Sequence, residues 1–505
     1  MSQFSDLLFE TRIAAESLAD FVAGGRLRLG VTGLSRAGKT VFITAFVHNL
    51  TRALADGKKT QLPVFRPLAE GRILAAHLDP QPDYSVPRFA YEEHLASLTG
   101  ADRHWPQSTR RISELRVSID YESQAFSLRH VGQGKGRARA KGAHEAHLDI
   151  DIVDYPGEWL LDLPLLDKSF FEWSRETLAS GGADARAAIA ADWLRETAAA
   201  DPAARYDEAT AQKLHTLFKE YLRQAKTERF ALSTLPPGRF LMPGDLEGSP
   251  ALTFAPLPVS SDADLPPRSL GREMERRYEA YKAQVVRPFF RDHFARLDRQ
   301  IVLVDALAAL NSGPAAVRDL ESALAEVLTA FRTGRSNLMS QIFRPKIDKI
   351  LFVATKADHL HHTSHDRLEG ILRTVTGRAI ARAEGVGAQI DVIAMAAVRA
   401  TREAMVKHEG EQLMAIVGAP IAGERIGGEI FDGKAEGAIF PGDLPEDPRE
   451  AFSGDALALD EEEAAFRFLK FRPPVAKLAK DGLALPLPHI RLDRAMEFLL
   501  GDRLV

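Results

Sequence analysis

Three short stretches of this 505-residue chain combine residue types and spacings suited to phosphate and base chemistry. The first, "GLSRAGKT" at 33–40, fits G-x-x-x-x-G-K-[ST] at every position. Gly33 and Gly38 let the backbone fold around an anion, and the N–H groups of Arg36, Ala37 and Gly38 point into that concavity. Ser35 within the run and Val41 directly after it belong to the same binding stretch. Lys39 brings a full positive charge between the β- and γ-phosphates, and the Thr40 hydroxyl is a hard oxygen suited to Mg²⁺. The second stretch, "DYPGE", is D-x-x-G. Asp154 can hold Mg²⁺ through its water shell, the Gly157 N–H can meet a γ-phosphate, and Glu158 can position or deprotonate water. The third, "TKAD", is T-K-x-D. Asp358 can accept from guanine N1 and N2, the stem of Lys356 lies over the base plane, and Thr355 opens the motif.

Such residues act only where secondary structure places them. Apolar, strand-like runs occur at 26–33, 114–121, 146–155, 300–307, 349–358 and 390–398, mostly separated by helical patterns. Several are continuously apolar, as parallel strands covered on both faces should be. The three motifs follow the first, third and fifth of these runs, where open α/β sheets bind ligands. The sixth is followed by "AMAAVRAT", where the Ala397 N–H, with Val398 beside it, can meet guanine O6. The pattern predicts an α/β fold with a mostly parallel, doubly wound sheet of P-loop type, interrupted by a large, mostly helical insertion.

The expected divisions are an N-terminal amphipathic helix (1–25), a first core segment (26–158), the insertion (159–298), a second core segment (299–404) and a C-terminal extension (405–505). Within the insertion, "AQKLHTLFKEYLRQA" and "DWLRETAAA" read as helices, whereas "STLPPGRFLMPGDLEGSPALTFAPLPVSSDADLPP" is too proline-rich for helix or central strand. "GREMERRYEAYKAQVVRPFFRDHFARLD" predicts one long returning helix kinked at Pro288. "VGQGKGRARAKGAHEAH" reads as a solvated hairpin tip, and "LDRAMEFLLG" as a final helix. Phe170, Phe171 and Trp173 read first as core of the insertion and secondarily as a partner or membrane surface.

Composition removes other classes. With 65 Lys plus Arg against 70 Asp plus Glu, a net charge of −5 offers no global attraction to nucleic acid. The absence of cysteine excludes disulfides and thiolate chemistry. No run of about 18 apolar residues spans a bilayer, so a cytoplasmic protein, at most peripheral at the inner membrane, is expected. A Mg²⁺-binding switch threonine should lie before the second strand, and Thr109 in "RHWPQSTRRISELRV" is chosen over Ser108 and Ser113. Arg36 is read as solvated rather than as an internal finger.

In this order the motifs resemble the Ras-like GTPases of the translation-factor-related P-loop class, with Thr355 where Asn is usual. "GLSRAGKT", "WPQST", "DYPGEWLLDLPLL" and "AVRAT" further resemble the bacterial YcjX-like family of stress-associated GTPases over nearly the whole chain. That resemblance implies a Ras-like core with a helical insertion, binding of GTP and GDP, slow hydrolysis, and association with envelope-stress or heat-shock responses. Ras-like proteins commonly carry Gln where Glu158 stands, and a carboxylate beside the γ-phosphate should slow turnover. The alternatives left open are a P-loop ATPase or kinase, a non-hydrolysing scaffold, and a membrane-associated adaptor. An effector or regulator protein is implied but not identified.

Overall fold

The computed structural model describes residues 25–33, 37–55, 61–107, 111–123, 144–226, 236–260, 264–329, 347–384, 387–408, 411–426, 428–453, 466 and 468–505. The expected N-terminal helix, most of the basic hairpin tip, and Ser35, Arg36, Ser108 and Thr109 lie outside the described residues.

Seven strands form the main sheet: β1 (Arg26–Gly33), β2 (Ile73–Asp79), β3 (Ser113–Ser123), β4 (His144–Asp154), β5 (Arg299–Val304), β6 (Lys349–Ala354) and β7 (Gln389–Ala394). Their order is β2-β3-β4-β1-β5-β6-β7. The five strands from β4 to β7 run parallel, while β3 is antiparallel to both β2 and β4. The continuously apolar runs are explained by cores on both faces. In β5, Ile301 and Leu303 join Leu27, Leu29 and Val31 in one core, while Val302 and Val304 join Phe352 and the insertion in the other. Edge strand β2 was not legible as a strand: "ILAAHLD" is short, alanine-rich and largely accessible, so it lacks a clean apolar alternation.

Helix α1 (Lys39–Thr51) follows the phosphate-loop stretch and packs against β1. The insertion contains α2 (Phe170–Gly181), α3 (Asp184–Ala199), α4 (Glu208–Ala225), α5 (Leu270–Tyr281) and α6 (Arg287–Asp292). A capping box at Ser169 and Glu172 starts α2, satisfying N–H groups that have no intrahelical partner. An aromatic core holds these helices together: Trp173 stacks on Tyr278 with centroids 5.1 Å apart, and Trp193 stacks on Tyr221 at 4.8 Å. Phe170 and Trp173 are buried, and Phe171 is partly buried against them, which is the core placement expected first.

The returning helix differs from the single kinked rod expected. A π-helical turn, Lys282–Val286, separates α5 from α6, and Pro288 sits in the first turn of α6. Proline cannot donate to the preceding turn and its ring crowds the carbonyl four residues back, so the irregularity falls before it. After β7, strands β8 (Arg402–His408), β9 (Glu411–Gly418), the two-residue β10 (Arg425–Ile426) and β11 (Glu429–Ile430), and β12 (Gly437–Ile439) form two small sheets. The terminal helix α7 (Leu492–Leu500) returns to the main core.

Candidate functional site

β1 delivers the chain to Gly33, where the backbone passes very close to β5. A Cβ there would lie 2.7 Å from the Leu303 carbonyl oxygen and 3.0 Å from Ala37 Cβ, so only glycine fits. Gly38 has φ +82°, the left-handed conformation glycine adopts without strain, and it turns the chain into α1. Among the described residues no side chain caps α1, so its first N–H groups and its dipole face the space ahead of it. Lys39 and Thr40 begin the helix, and Thr40 is 5% exposed.

Register alignment carries the next motif to the same end of the sheet. Asp154 closes β4 opposite Val31 of β1 and Ser113 of β3, and is buried. Thr40 and Asp154 supply a hydroxyl and a carboxylate, hard oxygens that fit Mg²⁺ and would not select a soft metal. Gly157 begins a 3₁₀ segment, Gly157–Asp167, which is buried through Leu165.

Glu158 does not stand alone there. It is 4% exposed, and its Oε1 accepts from Lys226 Nζ at 2.7 Å. Lys226 directly follows α4, so the insertion delivers a cation to the residue after D-x-x-G. The Glu158 carboxylate is therefore not the uncompensated charge expected from sequence, because an ammonium offsets it. The proline-rich loop closes over the same segment. Gly238 sits so near that a Cβ would lie 2.0 Å from the Glu158 carbonyl oxygen. The Arg239 guanidinium covers the Trp159 ring at 3.1 Å, and the Trp159 indole N–H donates to the Met242 carbonyl at 3.2 Å. Asp162 accepts from the Gly238 and Arg239 N–H groups at 2.7 and 3.2 Å and from the Tyr281 hydroxyl at 2.6 Å. Burial pushes its carboxyl up to about 6 despite these donors.

At the other end, β6 places Thr355, Lys356 and Asp358. The Thr355 hydroxyl donates to the Val304 carbonyl at 3.3 Å, tying the motif to β5. Lys356 adopts φ +62°, and its ammonium pairs with Asp305 at the end of β5. The lysine stem is thereby held at both ends. Asp358 is 4% exposed, and its Oδ2 accepts from the Ala400 N–H at 2.8 Å, which fixes the plane of the carboxylate. Ala396 pairs with Ile490 through both backbone groups, setting the position of Ala397 and Val398.

One cavity of about 460 Å³ joins these parts, a volume typical of small-molecule sites. Its lining includes Ala37, Gly38, Lys39, Thr40 and Val41, then Glu158, and then Thr355, Lys356, Asp358, Ala397 and Val398. Asp154 and Gly157 are not among the lining residues. The lining also contains Trp105, from the "WPQST" segment, and residues that no motif marked: Lys226, Asp305, Phe468, Lys470 and Phe471. Trp105 donates its indole N–H to the Phe471 carbonyl at 2.5 Å, and the His359 ring meets Phe471 edge-on at 5.4 Å. Burial holds the His359 imidazole below its usual range. Asp305 ends a buried parallel strand, a signal that was present in the sequence; Lys226 and the 468–471 segment carried none.

A glycine-turned phosphate loop on β1, D-x-x-G on β4 and T-K-x-D on β6, set in this strand order, define a Ras-like P-loop fold. Residues 27–504 match the model of the YcjX-like family, and the chain belongs to that family. The chain is 37% identical over 487 residues to the Ras-like GTPase YcjX of Escherichia coli, covering 95% of this chain and 96% of that one. It is 32% identical over 502 residues to the Ras-like GTPase YcjX of Shewanella oneidensis, covering 97% of each.

Proposed function

We propose that this protein is a guanine-nucleotide switch that binds GTP and GDP with Mg²⁺ and slowly hydrolyses GTP to GDP and phosphate. The observation carrying this reading is the single cavity that joins Lys39 and Thr40 to Asp358. The names of its relatives support the same activity. The Asp358 carboxylate matches the two donors on the guanine edge, an arrangement adenine lacks. Mg²⁺ held by Thr40 and Asp154, with Thr109 proposed as the switch ligand, would neutralise phosphate charge. The chain's own groups do the remaining work. Lys39 and the α1 N-terminus hold the phosphates, the Gly157 N–H meets the terminal one, and Glu158 orients water. Water oxygen bonds to the γ-phosphorus as the bond to the bridging oxygen breaks; GDP keeps that electron pair and the proton ends on inorganic phosphate.

The resemblance to stress-associated GTPases supports a role in a bacterial stress response, with an effector protein reading the insertion. A cytoplasmic location is proposed; among the described residues no helix is long and apolar enough to cross a membrane. The test is calorimetric titration with GTP, GDP and ATP in Mg²⁺, followed by single-turnover hydrolysis. Preference for ATP would overturn the base assignment and favour an ATPase or kinase. Tight GTP binding without turnover would make the protein a nucleotide-bound scaffold.

A further inference from the structure

We propose that Lys226 is the cation through which the insertion takes part in hydrolysis: its ammonium neutralises Glu158 and contacts the terminal phosphate of GTP in the shared cavity. This role rests on the GTPase reading above. Lys226 and Glu158 both line the cavity together with Lys39 and Thr40. Their 2.7 Å contact is nearly buried, with side chains 14% and 5% exposed, so it is screened far less than a surface pair. A lone carboxylate beside a triphosphate would oppose the charge that accumulates as the phosphorus–oxygen bond breaks. Pairing cancels that repulsion without removing the carboxylate from the cavity lining, where it can orient water. A tetrahedral ammonium has three N–H donors, enough to serve Glu158 and a phosphate oxygen at once. In this role Lys226 supplies charge and N–H donors and moves no proton.

The backbone around the pair is clamped from both sides. α4 ends immediately before Lys226, and its buried Phe218, Tyr221 and Leu222 lock into the insertion's aromatic core. Glu158 is pressed from behind by Gly238. The position of the ammonium is therefore set by the insertion as a body. A partner that shifts α4 by about an ångström would change turnover without touching the phosphate loop.

The experiment compares Lys226→Met, Lys226→Arg, Glu158→Gln and the Lys226→Met/Glu158→Gln double variant. Single-turnover GTP hydrolysis and equilibrium GDP affinity are measured for each, with thermal unfolding as a folding check. Lys226→Met should hydrolyse about 10²-fold more slowly, the scale of one lost charge-stabilising donor, with GDP affinity within about threefold of wild type. Lys226→Arg should restore most of the rate. In the Glu158→Gln background the loss from Lys226→Met should shrink, because the two residues act as a unit. Wild-type turnover by Lys226→Met would overturn the proposal. So would a loss of GDP affinity matching the loss of rate, or no rescue by arginine in a folded variant. If Lys226→Met does not fold, Lys226→Gln carries the same expectations. Wild type that binds GTP without hydrolysing it would end this role but leave nucleotide binding intact; wild type that fails to bind GTP would refute the GTPase reading itself.

Discussion

Replacing Gly238 by alanine should loosen the insertion from the segment that follows D-x-x-G. The new Cβ would sit 2.0 Å from the Glu158 carbonyl oxygen, 2.5 Å from its carbonyl carbon and 3.0 Å from its Cβ. Two of the three are backbone atoms, so no rotamer change relieves the contact. Since real Cβ atoms keep at least 3.0 Å away, the loop must retreat by about 1 Å. The same Gly238 N–H donates to Asp162 at 2.7 Å, and that retreat carries it past hydrogen-bonding distance. Overpacking of this kind costs about 1–3 kcal/mol, and a lost hydrogen bond to a buried carboxylate about 1.5–3 kcal/mol. The two effects share one displacement, so a combined loss of about 2–5 kcal/mol is expected. The assay is chemical denaturation followed by tryptophan fluorescence, since Trp159, Trp173 and Trp193 all lie in the core that includes the insertion. Gly377→Ala is the opposing control: it begins a helix, meets nothing within 4 Å, and should hold or gain up to about 1 kcal/mol. A Gly238→Ala protein with the wild-type midpoint and slope would show that the loop does not bear on Glu158, and the clamp argument would fail.

Lys39→Ala should weaken GTP and GDP alike by about 10²-fold or more in calorimetry, as a charge-assisted phosphate contact is removed. Unchanged affinity would remove the phosphate assignment. Asp358→Asn keeps an acceptor for the Ala400 N–H but loses the paired acceptors for guanine, so GTP affinity should fall about 10- to 100-fold while XTP gains; equal losses for both nucleotides would contradict the base assignment. Asp162 gives a pH signature. Its folded-state carboxyl titrates near 6 against 3.8 when unfolded, so the fold binds more protons than the unfolded chain between those values. Its unfavourable contribution is complete above that window and is relieved as pH falls through it, by about 3 kcal/mol at most. The stability difference between wild type and Asp162→Asn should therefore shift across pH 4–6.5 and stay flat above 7; a difference constant with pH would refute the burial argument.

The legible parts of the molecule were those where one residue type answers one local demand. Strands β5 and β6 were readable because burial on both faces makes most of their positions apolar. The phosphate stretch was readable because only glycine tolerates the Gly33 approach and the Gly38 conformation. Edge strand β2 was not, since its exposed positions impose no alternation. Lys226 was invisible for a different reason: its meaning comes from a partner 68 positions away, and a lysine at a helix end is unremarkable in sequence. The aromatic residues at 468 and 471 are likewise brought to the cavity by a long return of the chain that no local pattern encodes. The expected kink at Pro288 was displaced because proline disturbs the turn before it.

That long return also sets an order of events during synthesis. The site's aromatic wall at Phe468 and Phe471, and the Ile490 and Pro488 carbonyls that fix Ala396 and Arg399, emerge from the ribosome far behind the phosphate loop. Asn49 in α1 exchanges hydrogen bonds with Leu487, 438 positions later. A nascent chain stopped short of residue 466 would thus possess Lys39, Thr40 and Asp358, yet lack the part of the cavity lining that Phe468, Lys470 and Phe471 supply. The lining of the cavity is therefore completed late in synthesis, after the stretch around Lys39 and the strand leading to Asp358 have already been made.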